Sequence, residues 1–168
     1  AFFATVSFTA CSEEDSSSLS KEPDRPNKPI VVIYENDAHC AIDGYARLAG
    51  IRNNMRKETP YVATVSVGDF IQGGVVGTVS SGTAIVDIMN HVGYDAVTLG
   101  NHEFDFGMAQ MFSLTKRLEA DVVCANFRSL IDDNLLLEPY TIKRYGNVDI
   151  AYLGLTAPST LVTGGQKT

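Results

Sequence analysis

The sequence has few cysteines and few basic residues, and each shortage excludes a class of protein. Cysteine occurs only three times in 168 residues, as Cys11, Cys40 and Cys124. That odd number and wide spacing fit neither a disulfide framework nor a zinc knuckle. Lysine and arginine together number 13, against 20 aspartate and glutamate residues, which gives a net charge of −7. Because nucleic-acid-binding proteins normally carry a basic stripe, we expect no nucleic-acid partner.

The length and the apolar content indicate one globular domain. A chain of 168 residues is about one domain long. Hydrophobic residues make up 45% of it, which is enough for a hydrophobic core. The negative net charge does not exclude a phosphorylated substrate, because bound divalent cations can reverse the local field.

The amino-terminal segment differs in composition from the rest of the chain. Its first ten residues form a mainly apolar run that is too short to span a bilayer as a helix. The run ends in small residues directly before Cys11, a pattern that resembles the end of a bacterial lipoprotein signal peptide. Under that interpretation Cys11 carries the lipid. The alternative is a free cysteine in a disordered leader.

Residues 12–27 are rich in serine and acidic side chains, include two prolines and contain hardly any apolar residue. This composition is typical of a flexible tether. We therefore expect residues 1–28 to form a leader and a polar tether, and residues 29–168 to form the folded domain. We also expect export to the bacterial cell envelope, with membrane contact only through a lipid on Cys11.

From residue 29 onward, the pattern alternates between strands and helices. Asp43 is expected to cap the first helix and Gly93 to end the second, while the glycines within residues 73–82 predict a loop. The predicted strands are residues 30–34, 61–67, 96–99 and 122–125, the predicted helices contain residues 45–55, 85–92 and 111–118, and a hairpin joins residues 140–145 to 148–155. This order predicts an α/β fold, a layered α/β sandwich with a mixed sheet.

Polar side chains follow three of the predicted strands at the point where each strand ends. Asp37 and His39 follow the first strand, Asp69 the second and Asn101 the third. Side chains at the carboxyl ends of adjacent strands line the crevice of an open α/β sheet. Oxygen and nitrogen donors without a thiolate suit a pair of divalent ions such as manganese or zinc. The pattern therefore predicts a two-metal phosphoesterase.

Each of these side chains suits one part of that chemistry. Asp37 and His39 lie two residues apart in extended chain and can chelate one ion. Asp69 is the best candidate for a carboxylate shared by both ions, since it lies between the other clusters in the chain. Asn101 offers a neutral oxygen to the second ion. Taken alone, Asp69 could equally be a turn residue and Asn101 a helix N-cap.

His102 and Asp105 are the candidates for proton transfer. His102 would be free of metal and could stabilise charge or act as a general acid near the leaving oxygen. Asp105, three residues further on at a predicted helix start, could orient that imidazole and raise its pKa. The structural alternative for Asp105 is an ordinary residue at a helix start.

Four stretches of sequence carry a family resemblance. They are Asn-Asp-Ala-His at residues 36–39, Gly-Tyr-Ala-Arg-Leu at 44–48, Val-Gly-Asp at 67–69, and residues 93–105, which end in Gly-Asn-His-Glu-Phe-Asp. With these stretches the chain resembles the 5′-nucleotidase branch of the calcineurin-like metallophosphoesterases. The resemblance implies a two-sheet α/β sandwich, export from the cell, and nucleotides, nucleotide sugars or cyclic nucleotides as substrates.

The resemblance also implies two divalent metal ions and a role for six residues. By that resemblance Asp37 and His39 bind the first metal, Asp69 bridges, Asn101 binds the second, and His102 and Asp105 form the catalytic dyad. The family completes its metal site with later histidines, whereas this sequence contains only His39, His91 and His102.

The resemblance spans residues 28–160. We therefore expect residues 29–168 to be the amino-terminal part of a metallophosphoesterase catalytic domain, with an incomplete site. Two hypotheses follow. The chain belongs to an enzyme that hydrolyses phosphate esters, 5′-nucleotides or related nucleotides above all, or it is a truncated non-catalytic relative, a lipid-anchored binding or vestigial domain.

Three further residues each allow two interpretations. Cys40, beside a predicted metal ligand, is either an extra soft donor or a bystander thiol. His91 is either a solvated imidazole at a helix end or a ligand. Asn126, just past the fourth predicted strand, either reaches the site or stabilises a turn.

Overall fold

The structure is a computed structural model that describes residues 26–158 and Thr160. Cys11 and nearly all of the predicted leader and tether lie outside the described residues. Within residues 26–158, no helix is both long enough and apolar enough to cross a membrane.

Strands and helices alternate through the first two thirds of the described chain, and a hairpin follows. The elements are β1 (Val31–Glu35), α1 (Ile42–Glu58), β2 (Val62–Ser66), α2 (Val75–Ser80), α3 (Thr83–Val92), β3 (Ala96–Val97), a 3-10 helix (His102–Phe104), α4 (Met108–Arg117), β4 (Asp121–Val122), β5 (Tyr140–Tyr145) and β6 (Val148–Leu153). The predicted order of strands, of the three longer helices and of the hairpin is confirmed, and α2 and the 3-10 helix are additional short elements.

The first four strands form a parallel sheet in the order β1-β2-β3-β4. The register pairs Val31 with Val62, Val65 with Ala96, and Ala96 with Asp121. Four of the five residues of β2 are buried, as expected for a parallel strand that is covered on both faces. Because neighbours in the sheet are also neighbours in the chain, the loops after β1, β2 and β3 meet at one edge.

The hairpin β5-β6 forms a separate antiparallel sheet. It is joined to the end of the parallel sheet by an ion pair of 2.8 Å between Lys143 Nζ and Asp121 Oδ2 and by a hydrogen bond of 2.8 Å from the Cys124 N–H to the Glu138 carbonyl. The predicted layered α/β architecture is therefore confirmed, with parallel and antiparallel strands divided between two sheets.

The core lies between the parallel sheet and helices α1, α3 and α4. Its largest cluster includes residues of each element, among them Leu48, Ile85, Met89, Val97 and Leu114. Gly93 ends α3 as predicted, with a left-handed φ of 81° and a hydrogen bond of 2.9 Å to the Met89 carbonyl.

Two local expectations were wrong. Asp43 does not cap α1, because the helix begins earlier, with Ala41 at the N-cap position. Asp43 instead lies in the first turn, where its charge favours the helix dipole. The predicted loop at residues 73–82 contains the short helix α2. Gly77 in that helix packs so closely on Cys40 Sγ and the Ile71 carbonyl that any side chain would collide. This glycine therefore serves close packing rather than loop conformation.

The contribution of α3 to the stability of the core can be measured by substituting two methionines in turn. Met89 is fully buried, whereas Met108, at the start of α4, is 42% exposed. Met89→Ala should lower the free energy of unfolding by about 2–5 kcal/mol, because it leaves a cavity in the core. Met108→Ala, the matched control, should change it by no more than about 0.5 kcal/mol. Urea unfolding followed by circular dichroism measures both, and equal losses would contradict this description of the core.

Candidate active site

Three loops at the carboxyl edge of the parallel sheet form the candidate site. Asp37 and His39 follow β1, Asp69 follows β2, and Asn101 and His102 follow β3. All five positions lie where the sequence predicts them, just beyond the strand ends.

Main-chain hydrogen bonds hold the first two loops together. The Asp37 N–H donates to the Gly68 carbonyl at 3.3 Å, and the His39 N–H donates to the Asp69 carbonyl at 3.0 Å. The backbone is left-handed at Asp37, His39 and Asp69, with φ of 55°, 44° and 59°. For residues other than glycine this conformation costs on the order of 1–3 kcal/mol and persists where surrounding contacts fix the chain. Here all three predicted ligands adopt it.

Three predicted metal ligands converge in space. Asp37, His39 and Asp69 each offer one donor atom, and these atoms lie within 4.8 Å of one another. Asp37 Oδ1 is 3.5 Å from His39 Nε2. Two carboxylates and an imidazole without a thiolate fit manganese or zinc. The arrangement can therefore hold a divalent ion at this edge of the sheet.

The His39 ring is oriented by the chain on its far side. His39 Nδ1 lies 3.0 Å from the carbonyl oxygen of Gln72. Because a carbonyl can only accept, Nδ1 carries a proton, and in the neutral ring Nε2 then has a free lone pair on the side of Asp37. This is the usual way in which a metal-binding histidine is held. Gly73 packs against the same ring, where an added Cβ would lie 2.7 Å from His39 Cβ.

His102 and Asp105 form a hydrogen-bonded pair. His102 Nδ1 donates to Asp105 Oδ2 at 2.7 Å, which leaves Nε2 available. This hydrogen bond raises the pKa of His102, while partial burial opposes the rise. Asp105 directly follows the 3-10 helix, and the helix α4 begins only at Met108, so the expectation of a helix start at Asp105 was wrong. The tight 3-10 turn brings side chains three residues apart to the same side.

The two halves of the site are in direct contact. The rings of His39 and His102 meet edge to face, with centroids 5.0 Å apart. The His102 N–H donates to Asp69 Oδ1 at 2.8 Å, so one predicted metal ligand also fixes the backbone of the predicted catalytic histidine. Asn101 directly precedes His102 and makes no side-chain capping bond to the 3-10 helix. Its role as a metal ligand stays a prediction.

Two glycines allow the second and third loops to approach each other. Gly68 has a φ of 102°, and a Cβ there would overlap the backbone of Gly100. A Cβ on Gly100 would in turn overlap the carboxylate of Asp69. Glycine is therefore required at both positions.

Glu103 was given no role by the sequence analysis, yet it is only 2% exposed. Its carboxylate accepts hydrogen bonds from the backbone N–H groups of Asp69 at 2.8 Å, Phe70 at 2.8 Å and Gly100 at 2.7 Å. A longer contact of 3.4 Å comes from the N–H of Ile71. Burial raises the pKa of Glu103, and the donors from Asp69, Phe70 and Gly100 oppose this effect. The sequence feature that could have indicated a role for Glu103 is its position inside the Gly-Asn-His-Glu-Phe-Asp stretch.

The three ambiguous residues have structural roles. The buried Cys40 thiol donates to the Phe70 carbonyl at 3.4 Å, and burial raises its pKa, as for a bystander thiol. His91 is exposed, with Nδ1 2.7 Å from the Asp87 carbonyl within its own helix. The Asn126 side chain forms two hydrogen bonds of 2.7 and 3.0 Å with the backbone of Thr156, so it joins two distant segments of the chain.

Comparison with known proteins identifies the family of this chain. The family model "Calcineurin-like phosphoesterase" matches residues 30–160. Bovine 5′-nucleotidase is 34% identical over 153 residues, which cover 78% of this chain and 27% of the bovine protein. The trifunctional nucleotide phosphoesterase YfkN of Bacillus subtilis is 31% identical over 148 residues, which cover 76% of this chain and 10% of that protein.

A solved structure shows the same fold. The crystal structure of a 5′-nucleotidase precursor from Thermus thermophilus superposes with a TM-score of 0.69 at 26% identity, covering 78% of this chain and 29% of that one. The chain belongs to the calcineurin-like phosphoesterase family, and its relatives place it in the 5′-nucleotidase branch. It spans about a quarter of the length of the bovine and Thermus relatives.

The effect of Asp105 on His102 can be tested without activity. Asp105→Asn should lower the pKa of His102, because a neutral amide no longer stabilises the imidazolium. Titration of the His102 ring by NMR, with metal removed by a chelator, measures the change. Asp149→Asn, at an exposed position in the hairpin, is the control and should leave this pKa unchanged. An unaltered His102 titration in Asp105→Asn would show that the pair does not act as described.

Proposed function

We propose that this protein hydrolyses phosphate esters in a metal-dependent reaction, with 5′-nucleotides or related nucleotides as substrates. One observation carries the proposal. The donor atoms of Asp37, His39 and Asp69 converge within 4.8 Å, and the hydrogen-bonded pair of His102 and Asp105 lies directly beside them. Loops with a purely structural role would not need the available Nε2 of His102 beside a cluster of metal-binding donor atoms.

Two divalent ions, manganese, zinc or similar, are the proposed cofactors. Asp37 and His39 would hold the first ion, Asp69 would be shared, and Asn101 would hold the second. When bound, such ions lower the pKa of water towards neutrality and neutralise charge on a phosphoryl group. The donor set fits these ions because it contains oxygen and imidazole nitrogen and no thiolate.

His102 is the proposed proton donor to the leaving oxygen. Its Nδ1–H is held by Asp105 at 2.7 Å, so the ring is fixed and Nε2 is the atom that gives up a proton. The raised pKa of His102 keeps the imidazolium present at higher pH than for a free histidine. Asp105 therefore both orients the ring and supports its charged form.

The substrate class rests on the relatives. Bovine 5′-nucleotidase and the trifunctional nucleotide phosphoesterase of Bacillus subtilis are named for nucleotide substrates. A phosphate group would enter at the loops after β1, β2 and β3. The net charge of −7 is no obstacle there, since bound cations dominate the local field.

We also propose export to the bacterial cell envelope, with a lipid on Cys11 as the membrane anchor. Support comes from the apolar run before Cys11 and the polar tether after it. Metabolic labelling with a fatty-acid analogue tests the anchor. The label should appear on the protein and be lost in Cys11→Ser, and an unlabelled parent protein would contradict the proposal.

The proposed role of His102 predicts a specific kinetic change. His102→Ala in an active form of the protein should lower kcat by about 10²–10⁴ for a 5′-nucleotide, the usual range for a positioned acid. Bound metal should be retained, because His102 is not a proposed ligand. His91→Ala, which removes an exposed histidine on α3, is the matched control. Loss of bound metal in His102→Ala would make His102 a ligand and overturn the division of roles.

The ligand count predicts weak activity for the 168-residue chain alone. The four proposed ligands are few for two ions that repel each other, and the second ion depends on the neutral Asn101 and the shared Asp69. Hydrolysis of a 5′-nucleotide with added manganese or zinc should therefore stay below about 1 s⁻¹, the lower end of ordinary enzymes. A longer form of the protein should exceed this rate. Turnover in the ordinary range by the 168-residue chain would contradict the ligand count, and no turnover by either form would contradict the proposed function.

A further inference from the structure

Glu103 connects the two loops that carry the proposed shared ligand and the proposed catalytic histidine. We propose that Glu103 is a positioning residue that fixes the second metal position and His102 relative to the first metal position. The inference rests on the proposed function. It assigns control over one half of the site to a buried carboxylate that is not among the proposed metal ligands.

One oxygen of Glu103 bridges the loops after β2 and β3. Oε2 accepts the N–H of Asp69 at 2.8 Å and the N–H of Gly100 at 2.7 Å. The return link is the His102 N–H, which donates to Asp69 Oδ1 at 2.8 Å. Glu103, Gly100, His102 and Asp69 thus form a closed ring of hydrogen bonds and covalent chain.

This ring continues the contact between β2 and β3 beyond the end of the sheet. The last main-chain hydrogen bond of the ladder runs from the Thr98 N–H to the Ser66 carbonyl at 3.0 Å. Past Thr98, the hydrogen bonds described between the two loops all end on the carboxylates of Glu103 and Asp69. The separation of these loops therefore depends on Glu103 together with the bond from the His102 N–H to Asp69.

The first metal position does not depend on Glu103 in the same way. Asp37 and His39 are tied to the β2 loop through their own main-chain bonds to Gly68 and Asp69. The His39 ring is held separately by the Gln72 carbonyl at 3.0 Å. These contacts join Asp37, His39 and the β2 loop into one unit. Disturbing Glu103 should therefore shift this unit relative to Gly100 and the following residues without breaking it apart.

The carboxylate is suited to this position because all of its partners are N–H donors. Glutamine has nearly the same size, but its amide would direct N–H groups at backbone N–H groups on one side. Aspartate keeps the charge and is one methylene shorter, so it cannot reach both loops from the same backbone position. Both variants should disturb the bridge without removing any proposed ligand.

The decisive measurement is calorimetric titration of metal-free protein with manganese. The protein used is the form that is active in the hydrolysis assay. In Glu103→Gln, the second ion should bind about 10–100-fold more weakly, the usual effect of changing a residue that orients metal ligands. The affinity for the first ion should change less than about threefold, which is below that range. kcat should fall by a similar 10–100-fold, and amide exchange of Gly100 and His102 should become faster before metal is added.

Controls separate positioning from general stability. Glu119→Gln makes the same chemical change at an exposed position, and Ile85→Val weakens the core at a fully buried position away from the site. Both should bind two ions as the parent protein does. Glu103→Asp supplies a second test and should show the same selective loss of the second ion if Glu103→Gln does not fold.

Three outcomes would overturn the inference. Folded Glu103→Gln that binds both ions normally and keeps its kcat would show that Glu103 does not position the site. Equal weakening of both ions, reproduced by Ile85→Val, would show a purely structural role. A parent protein that binds fewer than two ions and hydrolyses no nucleotide would instead refute the proposed function on which the inference rests.

Discussion

The buried carboxylate of Glu103 is the interaction on which the candidate site depends. It is 2% exposed and accepts three short backbone hydrogen bonds from two different loops. An N–H group left without an acceptor in the interior costs about 1–3 kcal/mol, so the loops after β2 and β3 stay together as long as this carboxylate lies between them. Burial of a charge is itself unfavourable. The donors that offset this cost are the same N–H groups that hold the site in shape.

Strained backbone accompanies this arrangement. Asp37, His39, Cys40 and Asp69 all adopt positive φ, although none is glycine. The closely bonded β1 and β2 loops support this conformation through the main-chain contacts of Asp37, His39 and Cys40. These four residues all lie in the loops that bring the predicted ligands together. The helices and strands around these loops are regular. Their packing offsets the free energy that the strained backbone of the loops costs.

The sequence predicts those parts of the fold that local patterns determine. Strand positions, the Gly93 helix end and the hairpin at Gly146 follow from periodicity and turn chemistry within a few residues. The helix α2 and the role of Glu103 depend on contacts across 30 or more residues, such as Gly77 with Cys40 and Glu103 with Phe70. Patterns among neighbouring residues in the sequence do not predict such distant contacts. Likewise, the positions of Asp37, His39 and Asp69 could be predicted from strand ends, whereas the hydrogen bonds that orient them could not.

The order of strands gives a physical reason for the role proposed for Asp69. The three loops come from β1, β2 and β3, which are neighbours in that order in the sheet. A ligand on the β2 loop therefore lies between ligands on the outer two loops. Asp69 meets Asp37 and His39 on one side and accepts the His102 N–H on the other. A parallel sheet with consecutive strands adjacent thus makes the middle loop the natural place for a shared carboxylate. Because Gly68 and Gly100 allow the loops to touch, this carboxylate can reach both sides with a short side chain.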